Sequence, residues 1–294
     1  LSNKQLCDFE LIIDGSFNPL DGFLIENDYD SVVNEMRLAN GKLWPIPICL
    51  DLNEKEINGI KNEILLTDKE GYVLASMLVE SVWEPDKKKE ALSIFGTLDQ
   101  SHPGVYNLLN NTKKYYVGGK FVNVKPVIHH DYLNLRLNPK SIQKFIKNSS
   151  RKNTIAFQTR NPIHKAHFEL IKRSMDELNS NILIHPVVGL TKEGDINYHT
   201  RVNCYKMIIN HFPKTKTLLS LIPLAMRMAG PKEALWHAII RKNYGCTHLI
   251  VGRDHAGPGL NSQGIPFYGP YDAQELVKKY QNEIGIKIIP FKLF

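Results

Sequence analysis

The chain has 294 residues, of which 43% are hydrophobic and 23% are charged. That composition is ordinary for a globular protein with an apolar core, and no apolar run approaches the ~18 residues of a membrane span, which excludes a membrane-spanning protein. The formal net charge of +7 favours anionic partners, a class that extends from nucleic acids to nucleotides and small oxyanions.

Both ends of the chain indicate a piece of a longer protein. The chain begins at Leu1, with no methionine and no signal peptide, and it stops at Phe294 inside the strand-like sequence IKIIPFKLF.

Its cysteines are widely separated and form no CxxC pair, which predicts reduced thiols and argues against a zinc site or any tightly bound metal. We therefore expect a cytoplasmic protein or, if a transit peptide preceded Leu1, a plastid one.

Residues 1–137 are predicted to form a β-rich lobe, because short apolar stretches alternate there with turn residues. The sequence YYVGGKFVNVKPV predicts a hairpin around Gly118 and Gly119. The charged run DKKKE at 86–90 is interpreted as a solvated loop. His102 and Pro103 predict a turn, without chemistry of their own.

Residues 138–294 have a different pattern, in which apolar strands alternate with amphipathic helices, and this predicts a parallel α/β sheet. Asn138 and Pro139 begin the first of these helices as its cap and first residue. Ligands of such sheets lie beyond the carboxyl ends of the strands, where loops lead into helices. The predicted elements, in order, are the helix NPKSIQKFIKN, the strand TIAFQT, the helix NPIHKAHFELIKRSMDEL, the strand NILIHPVVG, the helix HTRVNCYKMIINHF, the strand KTLLSLIPL, the helix GPKEALWHAIIRKNYG, the strand HLIVGRD, the helix YDAQELVKKYQNEI and the strand IKIIPFKL.

The first candidate site is the strand-to-helix corner at 158–167, the first corner. We predict that Asn161 caps the helix and that Pro162 is its first residue. The free N–H groups of a helix start bind anions, and His164 and His167 share one helix face near that position. Arg160 adds a guanidinium group that is planar and permanently charged. The corner therefore predicts a phosphate cradle, against the alternatives of a chance His-x-x-His pair or two zinc ligands without a third.

The second candidate site is the sequence LIVGRDHAGPG at 249–259, the second corner. Gly252 permits close backbone approach, and Gly257, Pro258 and Gly259 hold an irregular loop. Such a loop does not by itself explain Arg253, Asp254 and His255 together at the end of a strand. The alternative is that Arg253 only pairs with Asp254 or a neighbouring carboxylate.

A third stretch lies between the two corners in sequence. Arg227 stands between Met226 and Met228, and by alternation we expect it to face the same cleft as the corners, whereas the methionines can be core filler. His237 and Arg241, four residues apart, are interpreted as structural or close to the site. Lys192 is a candidate for the lining of the cleft.

Together the two corners predict chemistry on phosphates. His-x-x-His at a strand-to-helix corner is characteristic of nucleotidylyltransferases, whose reaction needs positive charge around a triphosphate more than a nucleophilic side chain. No Ser-His-Asp set is evident, and the Walker loop GxxxxGKS/T is absent, which excludes a kinase of that type.

The segments QTRNPIHKAH and GRDHAGPG resemble the two signature segments of the ATP sulfurylase (sulfate adenylyltransferase) family, in its monofunctional fungal and bacterial form. Further resemblance extends along the chain, in FNPLDGFL, LWPIPI, YYVGG, HPVVGLTKEGD and FYGPYDAQEL. It implies a PUA-like β-rich domain at 1–137 and a Rossmann-like nucleotidylyltransferase catalytic domain at 138–294, with the C-terminal region of the family missing. It also implies a homo-oligomer.

The resemblance further implies that ATP, brought with Mg²⁺, reacts with sulfate to give adenosine 5′-phosphosulfate (APS) and pyrophosphate, and it implies roles for matching residues. Thr159, Arg160 and Asn161 match the active-site trio, and His164 and His167 match phosphate contacts. The residues implied to bind sulfate are Gln158, Arg160, Arg253 and the Ala256 backbone; those implied to bind ATP are Gln158, Thr159, Arg160, Asn161, His164, His167, Gly252, Arg253, Asp254 and His255.

Two alternatives stay open at this point. An adenylyltransferase with another acceptor, such as a nicotinate nucleotide or pantetheine phosphate, would need a larger and partly apolar pocket. An RNA-binding module would use the β lobe and the net positive charge, but the clustered Lys/Arg and exposed aromatic residues typical of such modules are absent. We expect neither a nucleic acid nor a membrane as partner.

Overall fold

The computed structural model describes residues 1–192 and 194–291, so the last two residues of the predicted C-terminal strand, 292 and 293, lie outside it. Within those ranges, no helix is both long and apolar enough to cross a bilayer. A π-helical turn occurs at Asn107–Asn111, and 3-10 turns occur at Leu133–Leu135, Ile209–His211 and Lys214–Lys216. The helices are α1 (Asn3–Ile13), α2 (Glu26–Glu35), α3 (Glu54–Ile57), α4 (Lys87–Phe95), α5 (Pro103–Tyr106), α6 (Pro139–Asn148), α7 (Lys165–Glu177), α8 (Tyr198–Ile208), α9 (Gly230–Asn243) and α10 (Asp272–Ile284). The strands are β1 (Gly22–Phe23), β2 (Leu50–Leu52), β3 (Glu63–Thr67), β4 (Val73–Trp83), β5 (Tyr115–Val122), β6 (Asn153–Thr159), β7 (Ser180–Pro186), β8 (Thr217–Leu219), β9 (His248–Val251) and β10 (Lys287–Pro290).

The N-terminal part is built on an antiparallel sheet of order β1-β5-β4-β3, in which β2 also pairs with β5. The predicted β-rich lobe is therefore present, but it contains helices that the sequence reading missed. The stretch FELII lies in α1, which begins with a reciprocal capping box between Ser2 and Gln5 and buries Phe9. The capping pair was a local signal for this helix.

The run 86–90 is not a solvated loop, as predicted, but the start of helix α4. The Asp86 carboxylate caps it by accepting a hydrogen bond from the Lys89 backbone N–H at 3.0 Å. Glu90 is buried and accepts hydrogen bonds from the hydroxyls of Tyr29, at 2.9 Å, and Tyr116, at 3.1 Å. One residue of this charged run is therefore buried, because two tyrosine hydroxyls donate hydrogen bonds to its carboxylate.

The predicted hairpin at Gly118 and Gly119 is also wrong, because both glycines lie inside the continuous strand β5. A Cβ atom on Gly118 would lie 2.1 Å from the Leu24 carbonyl oxygen, and one on Gly119 would lie 1.9 Å from the Leu78 carbonyl oxygen. These glycines therefore permit close approach of neighbouring backbone, which is a second use of glycine in strands besides turns.

The C-terminal part confirms the predicted parallel α/β sheet. Its strand order is β10-β9-β6-β7-β8, and each neighbouring pair is parallel. Helix α6 begins as predicted, with the Asn138 side chain accepting a hydrogen bond from the Ser141 N–H at 2.9 Å and Pro139 in the first turn. Strand β8 is shorter than predicted, with three residues.

Helix α7 begins later than predicted. It starts at Lys165, so its N-cap position is His164 rather than Asn161, and no side chain caps it. Thr159 explains the difference, because its hydroxyl donates to the Asn161 carbonyl at 2.6 Å and accepts from the Asn161 N–H at 3.1 Å, which fixes residues 159–161 as a tight turn outside the helix. His164 and His167 consequently occupy the N-cap and third helical positions.

Helix α9 is the central element of the molecule. Almost every residue from Gly230 to Arg241 is buried, because the helix lies between the parallel sheet and the N-terminal part. Trp236 packs against Phe17 of the N-terminal part, with ring centroids 5.0 Å apart. The opposite face of the sheet carries a separate apolar cluster that includes Phe157 and Ile171. The polar residues Glu233, His237 and Arg241 of α9 are therefore buried.

Candidate active site

The two corners lie side by side because their strands are neighbours. Strand β6, which leads into the first corner, pairs in parallel with β9, which leads into the second, with Ile155 opposite His248 and Ala156 opposite Leu249. Parallel neighbours end at the same edge of a sheet, so both corners leave that edge together. The sequence analysis predicted that ligands bind beyond the carboxyl ends of the strands, but it did not predict which strands are neighbours.

The backbone of the first corner is held from helix α8. The Arg201 guanidinium donates to the carbonyl oxygens of Arg160, at 2.9 Å, and Val187, at 3.0 Å. The Tyr205 hydroxyl donates to the Asn161 carbonyl at 2.7 Å. Both side chains are buried, and Arg201 is only 2% exposed. Sequence reasoning missed this pair, although their spacing of four on one helix places them on one face.

Arg160 does not project freely from the first corner. Its guanidinium binds the Asp195 carboxylate, with Nη1 3.0 Å from Oδ1 and 2.9 Å from Oδ2, and both side chains are largely covered. The same guanidinium lies close enough to the second corner to lower the pKa of Asp254, against a larger increase caused by burial. Arg160 is thus held in place and contributes positive charge to both corners. Asp195 was a second omission of the sequence reading.

The two histidines of the first corner stack on each other. Their ring centroids are 3.7 Å apart with an interplanar angle of 28°. His164 is exposed, whereas His167 is half-buried and contacts the rings of Phe157 and Phe291. Among the described residues His167 Nδ1 has no hydrogen-bond partner. Burial lowers the pKa of His167 to about 4, and the His164 imidazole acts in the same direction, so His167 is uncharged at neutral pH.

This depressed pKa predicts a pH dependence of stability. The unfolded imidazole ionises near its ordinary pKa of 6.5 and the folded one near 4, so the stability that neutral His167 contributes is complete above about pH 6.5 and is lost as the pH falls through about 4. We expect urea unfolding free energies of the wild type to fall more steeply than those of His167→Gln between neutral pH and about pH 4.5. Parallel curves for the two proteins would contradict the assignment.

The second corner is an irregular loop fixed by several anchors. Asp254 and Ala256 have positive φ angles of 47° and 56°. The Asp254 N–H donates to the Pro270 carbonyl at 3.0 Å, the Ala256 carbonyl accepts from the Gly230 N–H at 3.1 Å, and Lys192 Nζ donates to the Pro258 carbonyl at 2.7 Å. The predicted irregular loop is confirmed, and its strained residues are kept in place by contacts with three other segments.

Two glycines of this loop differ in what they permit. A Cβ atom on Gly257 would lie 1.8 Å from the Asp254 carboxylate, so glycine there lets Asp254 fold over the loop. At Gly252 a Cβ atom would meet no protein atom within 4 Å, so the backbone there borders open space. Arg253 is exposed, with its guanidinium carbon 5.9 Å from the centroid of the Tyr271 ring. A cation on an aromatic face keeps its charge available to a ligand.

Gln158 and His255 connect the two corners through α9. Gln158 Oε1 accepts a hydrogen bond from Arg241 Nη2, and Gln158 Nε2 lies 3.3 Å from His237 Nε2. His237 Nδ1 lies 3.0 Å from His255 Nε2. Burial lowers the pKa of His255 to about 3, with the neighbouring His237 as a second cause. The interpretation of His237 and Arg241 as structural or close to the site matches their position beneath both corners.

Met226 and Arg227 lie in a different cleft from the corners. They line a cavity of about 1100 Å³ at the junction of the N-terminal and C-terminal parts, together with Lys192, and within the described ranges no residue of either corner lines it. The Arg227 guanidinium binds Asp8 of α1, at 2.7 and 2.6 Å from its two carboxylate oxygens. The expectation that Arg227 faces the same cleft as the corners therefore does not match the structure.

His102 has a structural role, which agrees with the predicted turn. Its Nδ1 accepts from the Gly104 N–H at 3.0 Å and caps α5, and its Nε2 lies 3.0 Å from the Tyr268 hydroxyl. Elsewhere in the part of the chain that is described, no group of three or more His, Cys, Asp or Glu side chains is arranged to hold a metal ion.

Comparison with known proteins gives matches along the whole chain. A PUA-like domain model matches residues 1–126, and an ATP-sulfurylase model matches residues 133–294. Sulfate adenylyltransferases of Schizosaccharomyces pombe and Saccharomyces cerevisiae are each 51% identical to this chain and cover 100% of it, while the chain spans 61% and 58% of their lengths. A solved structure described as a hexameric APS kinase from Thiobacillus denitrificans has a TM-score of 0.77 at 25% identity, over 100% of this chain and 50% of that one.

The ATP-sulfurylase model includes both corners and the whole parallel sheet that brings them together. The N-terminal antiparallel part is a PUA-like domain. The chain belongs to the ATP-sulfurylase family.

Proposed function

We propose that the protein transfers the adenylyl group of ATP to sulfate, giving adenosine 5′-phosphosulfate and pyrophosphate. The observation that carries the proposal is the adjacency of β6 and β9, which sets an Arg-Asn-Pro-x-His corner beside a Gly-Arg-Asp-His corner at one edge of the sheet. The curated relatives named sulfate adenylyltransferase support the reaction, and the chain spans 61% of the length of the first of them.

The proposed sulfate site uses charge and donors from both corners. Arg160 and Arg253 offset the repulsion between the sulfate dianion and the triphosphate, and Gln158 and the Ala256 backbone orient the anion. The ion pair of Arg160 with Asp195 supports this role, because it holds the guanidinium in one place before sulfate arrives. Buried Arg201 and Arg241 lie behind the corner and add positive potential.

The leaving pyrophosphate is assigned to the start of α7. Because the helix begins at Lys165, its free N–H groups and the positive end of its dipole lie between His164 and His167. Neutral His167 can act there as a hydrogen-bond donor, and exposed His164 can meet charge that develops on the leaving oxygens. In this in-line displacement, a sulfate oxygen forms a bond to the α-phosphorus while the bond to pyrophosphate breaks. Thr159 and Asn161 hold the turn that directs Arg160.

The nucleotide is assigned to the loop from Gly252 to His255, where the backbone at Gly252 borders open space. Mg²⁺ would enter with the nucleotide, because it is bound in such sites through phosphate oxygens and waters with few protein ligands. The residues present fit that arrangement: Asp195 is occupied by Arg160, and the Asp254 carboxylate packs against Gly257. The bound ion would neutralise charge on the phosphates.

Three further features belong to the proposal. The boundary between the two domains is placed at 137/138, just before α6 and after the last strand of the antiparallel sheet. A homo-oligomer is supported by the solved relative whose description is hexameric. A cytoplasmic location is consistent with four free cysteine thiols.

The test is exchange between ATP and pyrophosphate, measured with the full-length protein with and without sulfate. We expect exchange and pyrophosphate release to require sulfate, and molybdate or selenate to replace it as tetrahedral oxyanions. Nicotinate mononucleotide and pantetheine phosphate serve as competing acceptors in parallel assays.

If the rate of exchange is independent of sulfate but increases with one of the larger acceptors, the proposal is overturned in favour of another adenylyltransferase. A gel-shift assay with structured RNA at physiological salt tests the remaining alternative. Tight binding of RNA together with inactive exchange would favour a nucleic-acid-binding protein.

A further inference from the structure

A continuous line of four side chains runs beneath the candidate site and joins its two corners. Arg241 contacts Gln158, Gln158 contacts His237, and His237 contacts His255. Arg241 and His237 are four residues apart on one face of α9, whereas Gln158 and His255 belong to the first and second corners. The two corners are thus connected by side chains as well as by strand pairing.

The direction of every hydrogen bond in this line follows from Arg241. A guanidinium can only donate, so the Gln158 atom that faces it must be the carbonyl oxygen, and the amide nitrogen must face His237. That nitrogen also donates, which makes His237 Nε2 an acceptor, and a neutral His237 then carries its hydrogen on Nδ1. His237 Nδ1 donates in turn to His255 Nε2, at 3.0 Å. His255 is left with its hydrogen on Nδ1.

One contact competes with this direction. Glu233 Oε1 lies 3.4 Å from His237 Nε2, which could draw the hydrogen of His237 to Nε2. However, the Glu233 carboxylate already accepts from the backbone N–H groups of Arg227, at 3.0 Å, and Ala229, at 2.8 Å. A hydrogen on His237 Nε2 would also oppose the Gln158 amide hydrogens at 3.3 Å, and Gln158 cannot turn over without losing Arg241.

Arg241 has few other contacts that could explain it. Its side chain is fully buried, and within the described residues its Nε and Nη1 atoms have no hydrogen-bond partner and no carboxylate lies within ion-pair distance. Burial lowers the pKa of Arg241 to about 10, which leaves the group charged at neutral pH. A buried cation with unsatisfied donors is costly, so a role beyond packing is indicated.

We propose that Arg241 is a positioning residue that orients the Gln158 amide and sets the tautomers of His237 and His255, so that Gln158 directs a donor hydrogen to the bound oxyanion and His255 carries its hydrogen on Nδ1. The part that concerns the oxyanion rests on the proposed function. The assignment of tautomers rests only on the contacts of these four side chains.

The tautomers are read by ¹⁵N NMR of the histidines in the full-length protein at neutral pH, because protonated and unprotonated ring nitrogens have well-separated shifts. We expect Nδ1–H on both His237 and His255 in the wild type, and a mixture of tautomers in Arg241→Met. Lys242→Met, which removes the exposed positive charge next to Arg241 on the same helix, is the matched control and is expected to leave both tautomers unchanged. Nε2–H on His237 in the wild type overturns the proposal without any variant.

Steady-state kinetics test the link to sulfate. Arg241→Met is expected to raise the KM for sulfate by about tenfold or more, with the KM for MgATP changed by less than about twofold, and Arg241→Lys is expected to restore part of the loss. Because Arg241 acts through Gln158, Arg241→Met should add no further loss to Gln158→Leu. Additive effects, or equal changes in both KM values, would overturn the positioning role. Absence of any sulfate-dependent turnover in the wild type would overturn the proposed function, while the NMR result still decides the tautomers.

Discussion

Arg160→Ala is expected to lower sulfate-dependent turnover by at least ~100-fold while the protein stays folded. The guanidinium is assigned to stabilise negative charge between sulfate and the α-phosphate, and Asp195, 2.9 Å away, holds it in position. Water that fills the space left by the side chain would have to reorient during the reaction, so it stabilises that charge less well. The same loss is expected for His164→Ala at the start of α7. The measurement is pyrophosphate release from MgATP, with circular dichroism to verify the fold.

The matched control is Lys278→Ala, which removes one positive charge from an exposed position on α10. It should retain near wild-type turnover if local geometry matters rather than net charge. Arg160→Lys should remain strongly impaired, because a lysine lacks the planar fork that meets a carboxylate on one side and an anion on the other. Normal pyrophosphate release by either alanine variant would contradict the assignment.

Asp8→Ala is expected to destabilise the protein by about 3–5 kcal/mol. Asp8 is 0% exposed and Arg227 is 8% exposed, so removal of the carboxylate leaves an uncompensated guanidinium in the interior. This pair joins α1 of the N-terminal part to the segment before α9, and the loss is therefore expected in the unfolding transition of both parts. Urea unfolding of wild type and variant measures it.

Two controls sharpen that experiment. Asp21→Ala removes one partner of an exposed pair with Lys120, 3.7 Å apart, and should cost less than about 1 kcal/mol. The double variant Asp8→Leu/Arg227→Met replaces both charges by apolar groups and should recover much of the lost stability. A single Asp8→Ala variant as stable as the wild type would show that the pair contributes nothing to the junction.

The sequence allowed most of the C-terminal fold to be predicted, because each strand and helix there carries its own local signal. Asn138 followed by Pro139 marks a helix start without reference to the rest of the chain. The start of α7 was misplaced because Asn161 and Pro162 carry the same signal, while the competing hydrogen bonds of Thr159 became visible only in three dimensions. The sequence alone does not distinguish whether Gly118 and Gly119 form a turn or lie in a strand whose neighbours approach closely.

The candidate site was predicted only as far as consecutive residues could reveal it. Each corner is a short run of consecutive Arg, His, Asn, Asp, Gly or Pro residues at the end of a strand, so both were recognised from the sequence. Asp195, Arg201 and Tyr205 support the first corner from 35 to 44 residues away in sequence. The spacing of Arg201 and Tyr205 shows that they share a helix face, but no local pattern links them to that corner. Arg227 was misplaced for the same reason, since its partner Asp8 lies 219 residues earlier.

The burial of α9 has a consequence for the modular history of such proteins. One side of this helix supports both loops of the candidate site, and another side is covered by Phe17 and its neighbours in the PUA-like domain. Recombination that exchanged the PUA-like domain for an unrelated one would uncover Trp236 and loosen the helix under the reactive loops. The two domains are therefore expected to be inherited as a pair and to change together at their shared helix.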